Sequence, residues 1–351
     1  MKKTIILFLI LSLLLCACGQ SGAAPAGQTR EFTDSTGRTV TLPEDITKIA
    51  ISGPLSQIYI LPLAGDLLVG VSTAYAEDAQ SYLPAYLYEK AEIGQLYGGK
   101  GEMDLEALLA AAPEVVIDIG EPKKTTAEDL SALTEQTGIP FIHIDATVAT
   151  APEAYRILGK LLDREEKAEE LAAWCESTYA MIGAMMEKVD ADGARKTLLY
   201  CLGDKGVNVI ARGSFHAETI NFMSENLAVV EDVVSGGAGN EVDLEQILLW
   251  DPDVIIFAPD SCYGDIAASE QWQSADAVAR GEYYKTPSGP YGWLSSPPAV
   301  QRYLGMLWLG ELLYPGYAEY DLQEKVTEYY RLFYGCDLTD AMYQALTADS
   351  H

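Results

Sequence analysis

Histidine is scarce in this chain: only His143, His216 and the terminal His351 occur among 351 residues. A hydrolase built on a histidine base has few places to put one. The motifs that would mark an enzyme are also missing. There is no G-x-S-x-G elbow, no P-loop, no G-x-G-x-x-G opening the first helix and no H-E-x-x-H. The reading is a non-enzyme with no catalytic residue, no resident cofactor and no metal site of its own. The remaining candidates are residues that hold and orient a ligand. Arg212 can pair with anionic oxygens, or form a surface ion pair. His216 can offer a ring nitrogen to a metal, or hydrogen-bond the backbone at a helix start. Tyr291 and Trp293 flank Gly292 in a Pro/Gly/Ser-rich loop. They can stack on a planar or apolar ligand, or fold back on their own lobe. Tyr75 and Tyr97 are the two of 21 tyrosines singled out for the same site. His143 ends a buried strand and reads as structural.

Two carboxylates recur at matching places. Residues 103–117 read MDLEALLAAAPEVVI and residues 242–256 read VDLEQILLWDPDVII, with seven of fifteen positions identical. Gly98, Gly99 and Gly101 precede one copy; Gly236, Gly237 and Gly239 precede the other. Asp104 and Asp243 stand where helix N-caps are expected. Glu106 and Glu245 then fall in the first turn, free to project outward or simply to complement the helix dipole. Each copy predicts a glycine loop, a capped helix, a proline turn and a buried strand. One such unit per half implies two similar lobes with a ligand site in the cleft between them.

The elements that must position these residues alternate strand and helix, which predicts an α/β fold with mainly parallel sheets. Strands are expected at 39–42, 48–52, 67–71, 115–119 and 141–144, and again at 197–202, 207–210 and 254–258. A helix is expected at 56–63. Between the halves, residues 152–189 carry apolar residues at helical spacing with no Gly-Pro break. Ala154 to Leu162 forms one helix, and Asp163 can cap a second running to about Val189. The expected division is a first lobe at 31–151, connecting helices at 152–190 and a second lobe at 191–351.

Net charge is −29, from 23 basic and 52 acidic residues. Such a surface repels phosphate backbones, so nucleic acid is excluded as a partner. Lys2 and Lys3 precede an apolar run from Ile5 to Leu15, too short for a permanent span, and residues 1–17 read as a signal peptide. Leu15-Cys16-Ala17-Cys18-Gly19 resembles a bacterial lipobox, which makes Cys18 the lipidated first residue of the mature chain. Residues 18–30 then form a flexible tether. The anchor is the membrane element, and the body lies outside the cytoplasmic membrane. Cys175, Cys201, Cys262 and Cys336 match no zinc or redox spacing.

Taken together, these features resemble the ABC-importer substrate-binding proteins that carry ferric siderophores, haem and vitamin B12. The residues carrying the resemblance are 32–38, the strand-loop-helix from Ile46 to Leu63, Leu67 to Ser72, both Asp-Leu-Glu units, the long helix and Ser296 to Gly305. The resemblance implies two Rossmann-like lobes, each a mainly parallel sheet flanked by helices, joined by one long α-helix that limits hinge motion. It implies a monomer that docks on a permease dimer through Glu106 and Glu245. It also implies a metal chelate as ligand: a siderophore, a corrinoid or haem. The sequence has no arginine cluster for a strongly anionic catecholate, so a near-neutral ferric siderophore or corrinoid fits better. A bare oxyanion such as molybdate is the alternative.

Overall fold

Short apolar runs bounded by glycine and proline become the strands of the two main sheets. A computed structural model describes residues 28–97, 102–234, 236–295 and 297–350. The signal peptide, Cys18 and most of the expected tether lie outside those residues. Thr29 and Arg30, expected at the end of the tether, are instead in the first strand. That strand, β1 (Thr29–Thr33), pairs antiparallel with β2 (Thr39–Pro43). The Asp34 carboxylate closes the turn, accepting from the Thr36 and Arg38 backbone N–H groups at 3.0 and 3.1 Å.

The first lobe is a parallel sheet. β3 (Ile49–Ile51), β6 (Val115–Gly120) and β7 (Phe141–Asp145) lie side by side in that order. β4 (Gly70–Val71) and β5 (Ala91–Glu92) form a parallel pair, and a bridge from Ile49 to Leu68 joins it to β3. Burial on both faces explains why β3 and the start of β6, Val115–Ile117, are apolar runs rather than alternating ones. Helices α1 (Pro54–Ala64), α2 (Leu105–Ala111) and α3 (Thr126–Thr137) complete this half.

α4 (Ala151–Leu162) leads directly into α5 (Glu165–Ala191). At 27 residues α5 is a rod of ~40 Å. Asp163 does not cap it. That residue is left-handed (φ 53°) and ends α4. The two helices turn sharply around each other, and a Cβ on Gly159 would lie 2.4 Å from the Ala168 side chain. Arg164, at φ −131°, takes the N-cap position of α5 instead.

In the second lobe, β12 (Val254–Phe257) lies between β8 (Thr197–Leu202) and β13 (Tyr283–Lys285), all parallel. β10 (Glu225–Asn226) adds parallel to the N-terminal half of β8, and β9 (Asn208–Val209) and β11 (Asn240–Glu241) add an antiparallel edge. Flanking helices include α6 (Glu218–Met223), α7 (Leu244–Trp250) and α8 (Arg302–Leu313). The chain's end then returns toward the first lobe. Phe333 meets Tyr155 at 6.1 Å between ring centres, and Tyr330 meets Tyr82 at 5.6 Å. No helix of the described residues is long and apolar enough to cross a membrane.

Candidate functional site

The two repeats match in structure as they do in sequence. The Asp104 carboxylate accepts from Ala107 N–H at 2.9 Å, and that of Asp243 from Gln246 N–H at 2.7 Å. Both helices are seven residues long and end on a left-handed residue, Ala112 and Asp251, each at φ 47°. Each then feeds a buried strand. Glu106 and Glu245 are exposed at equivalent positions, one on each lobe. Asp104 and Asp243 occupy the capping role, so the glutamates are left facing outward.

The C-terminal ends of the parallel strands set the loops that can form a cleft. Tyr75 follows β4 and Tyr291 follows β13, so they come from opposite lobes. They meet: the Tyr291 hydroxyl donates to that of Tyr75 at 3.3 Å. Gln57, on α1, organises the first-lobe side. Its Nε2 donates to the Tyr75 hydroxyl at 2.6 Å, and its Oε1 accepts from Ser72 N–H at 2.8 Å. The Tyr75 oxygen thus receives two hydrogen bonds, which leaves its own proton to reach a further acceptor. Burial raises both phenols, Tyr291 to about 12 and Tyr75 further, with Tyr291 adding to the rise at Tyr75. Both are therefore neutral hydrogen-bonding groups rather than phenolates.

The other expected residues are distributed differently. Tyr97 stays within the first lobe. Its hydroxyl donates to Asp129 at 3.2 Å, and the Lys123 ammonium sits 4.0 Å from its ring centre. Burial raises this phenol to about 12 as well. Arg212 is turned to the sheet edge. Its Nε donates to the Asn226 carbonyl at 2.8 Å, and the guanidinium lies 3.7 Å from Glu225. Asn226 pairs with Leu198 on β8, four residues before that strand ends. That is ~13 Å from the cleft end of the strand. Arg212 therefore serves a backbone acceptor, not the strand ends. Trp293 is 0% exposed and belongs to the main core. Gly305 makes room for it, because a Cβ there would lie 2.5 Å from the Trp293 carbonyl. The loop thus turns Tyr291 toward the other lobe and Trp293 inward, and the indole has no surface to stack on a ligand.

His216 is held by its second-lobe neighbours. Nδ1 is 2.8 Å from Ser295 Oγ and 3.1 Å from the Ser295 carbonyl. Burial pushes its pKa down to about 4, with Arg302 nearby adding to the effect and the Ser295 bond opposing it. Between pH 6.5 and 4 the unfolded chain binds a proton here that the folded chain refuses. This group's contribution to stability is therefore complete above pH 6.5 and is lost as pH falls toward 4. His216→Gln is expected to flatten the pH dependence of the urea midpoint in that window, relative to the parent. An unchanged slope refutes the assignment.

A second tie between the lobes was not legible beforehand. Both backbone groups of Val148, just after the last first-lobe strand, are held by second-lobe side chains. Glu218 accepts its N–H at 2.9 Å and the Tyr303 hydroxyl donates to its carbonyl at 2.6 Å. Glu218 is itself paired at 2.8 Å with Arg302, which is fully buried. His143 is also fully buried, with Nδ1 2.7 Å from Asp118. Cys175, Cys201, Cys262 and Cys336 are all free thiols.

Comparisons with known proteins agree with this architecture. A family model described as periplasmic binding protein matches residues 56–290. Among solved structures, an ABC transporter solute-binding protein from Sulfurospirillum deleyianum is 28% identical. It aligns over 91% of this chain and 99% of its own, with a TM-score of 0.83. A periplasmic solute-binding protein from Veillonella parvula is 25% identical over 92% of this chain and 98% of its own, with a TM-score of 0.71. The molybdate periplasmic binding protein of Haemophilus influenzae, solved with molybdate bound, shares the fold. It is 20% identical over 88% of this chain and 99% of its own, with a TM-score of 0.69.

Proposed function

The chain belongs to the periplasmic binding protein family, the solute-binding side of ABC transporters, and we propose that it captures a near-neutral ferric siderophore and delivers it to a permease dimer. The observation that carries the ligand reading is the meeting of Tyr75 and Tyr291 from opposite lobes, both as neutral phenols. Neutral phenols suit an intact chelate, whose metal is already satisfied and whose periphery offers oxygens to hydrogen-bond. They suit a bare metal ion poorly, since coordination would first require loss of a strongly held proton. Arg212 is held by the Asn226 carbonyl, and Lys123 sits over the Tyr97 ring. That disfavours a highly anionic ligand. In this reading Glu106 and Glu245 meet basic pockets on the two permease halves, and lipid on Cys18 keeps the protein at the outer face of the cytoplasmic membrane.

Titration of intrinsic tryptophan fluorescence with a ferric hydroxamate, cobalamin, haem and molybdate tests the reading. Saturable binding of the ferric hydroxamate is expected. Tyr75→Phe and Tyr291→Phe each remove one hydroxyl from the ligand's reach and are expected to weaken binding ~3–10-fold. Saturation by molybdate alone, or wild-type affinity in both variants, would overturn the ligand assignment.

A further inference from the structure

In the described residues, only two leucines are exposed: Leu109 at 49% and Leu249 at 77%. Each lies on one of the two repeat helices, on the turn after the outward glutamate. Glu106 and Leu109 are three residues apart, and Glu245 and Leu249 four, spacings that put both members of each pair on one helix face. Scattered exposed leucines need no explanation. These two stand at neighbouring rather than equivalent repeat positions, yet each lobe carries one beside the same carboxylate. Fixed caps and left-handed stops hold both helices, so the side chains are presented rather than frayed.

We propose that Leu109 and Leu249 are the apolar anchors of a two-point docking face, whose partner is a membrane protein built of two similar halves. Each half would offer an apolar socket rimmed by a cation. The proposal rests on the permease-docking reading and adds the apolar half of the contact. Exposed ion pairs steer an approach but hold little by themselves. Retention needs a desolvated centre inside the polar rim. Charge selects among the possible occupants. With a net charge of −29 the chain is repelled by an anionic lipid surface, and two copies of this face would set their glutamates against each other. A partner with two cationic rims is complementary to both patches.

The test incorporates p-benzoylphenylalanine, one position at a time, at 106, 109, 245 and 249 of the full chain. Glu135, exposed on α3, is the control position. Each protein is irradiated with native membrane vesicles and its adducts are sequenced by mass spectrometry. Adducts from 109 and 249 to the transmembrane subunits of an ABC importer, and none from 135, are expected. A Leu109→Ser/Leu249→Ser variant is expected to dissociate from that importer at least tenfold faster, with unchanged melting and unchanged ferric hydroxamate binding. Adducts from 106 and 245 without any from 109 and 249 overturn the apolar anchor while leaving the docking reading intact. Adducts to lipid or to a second copy of the chain also overturn the anchor. Importer subunits at none of the four positions overturn the docking reading itself.

Discussion

Glu218→Ala is expected to destabilise the fold by about 3–5 kcal/mol, the cost of stranding a buried charge. Arg302 has no exposed surface, and Glu218 lies 2.8 Å from its guanidinium. Without that carboxylate the guanidinium keeps the Phe215 and Ala299 carbonyls at 3.2 and 3.3 Å and the face of the Phe215 ring. Those are partial dipoles and do not neutralise a whole charge. The Val148 N–H also loses its acceptor. The urea midpoint should fall with little change in slope. Glu218→Leu/Arg302→Met removes both charges and is expected to lie closer to the parent than Glu218→Ala does. A Glu218→Ala protein within about 1 kcal/mol of the parent would show that solvent, not Glu218, satisfies Arg302.

Because Glu218 also bridges to the first lobe, the same variant bears on motion. The lobes are tied at Tyr75–Tyr291 and at Val148, with α5 as the stiff link between them. Loss of the Glu218 half of the Val148 tie, with the Tyr303 bond left in place, should widen the distribution of distances between spin labels placed on α3 and α7, while the parent stays narrow.

Charge reversal at both pegs, Glu106→Lys with Glu245→Lys, is expected to reduce uptake of the ferric hydroxamate at least ~100-fold. Like charges brought face to face at an interface cost several kcal/mol, and each 1.4 kcal/mol is tenfold. Stability should change by only ~0.3–1 kcal/mol per site through the helix dipole. Neither glutamate makes a hydrogen bond or ion pair among the described residues, so ligand affinity should be unchanged. Single reversals should fall between, since one lobe would still engage. Uptake at parental levels with both residues reversed would remove these positions from docking.

Much of this architecture was legible from short-range patterns. An aspartate two residues before a glutamate, then a proline turn and an apolar run, implies a capped helix feeding a buried strand. The cap and its helix close within a few residues, so the capped helix and the strand it feeds form as read in both copies. The long connecting helix followed from periodicity for the same reason. Asp163 departs from that reading, since it ends α4 in a left-handed conformation and Arg164 takes the N-cap position of α5.

What the tertiary structure alone decided is where loop side chains point. Tyr291 and Trp293 are two residues apart in one loop and look equally available. Gly305, twelve residues on, lets its helix approach the Trp293 carbonyl closely and the indole lies in the core, while Tyr291 reaches Tyr75 across 216 positions of sequence. Arg212 was drawn to a carbonyl 14 residues away, at a strand edge no periodicity marks. The Val148 tie joins residues 70 and 155 positions apart, and no local pattern encodes such a pairing. Local sequence specifies which elements form, because helix hydrogen bonds close within a few residues and a strand's apolar pattern is written in its own residues. The site is specified by packing between distant segments, which only the folded chain brings together.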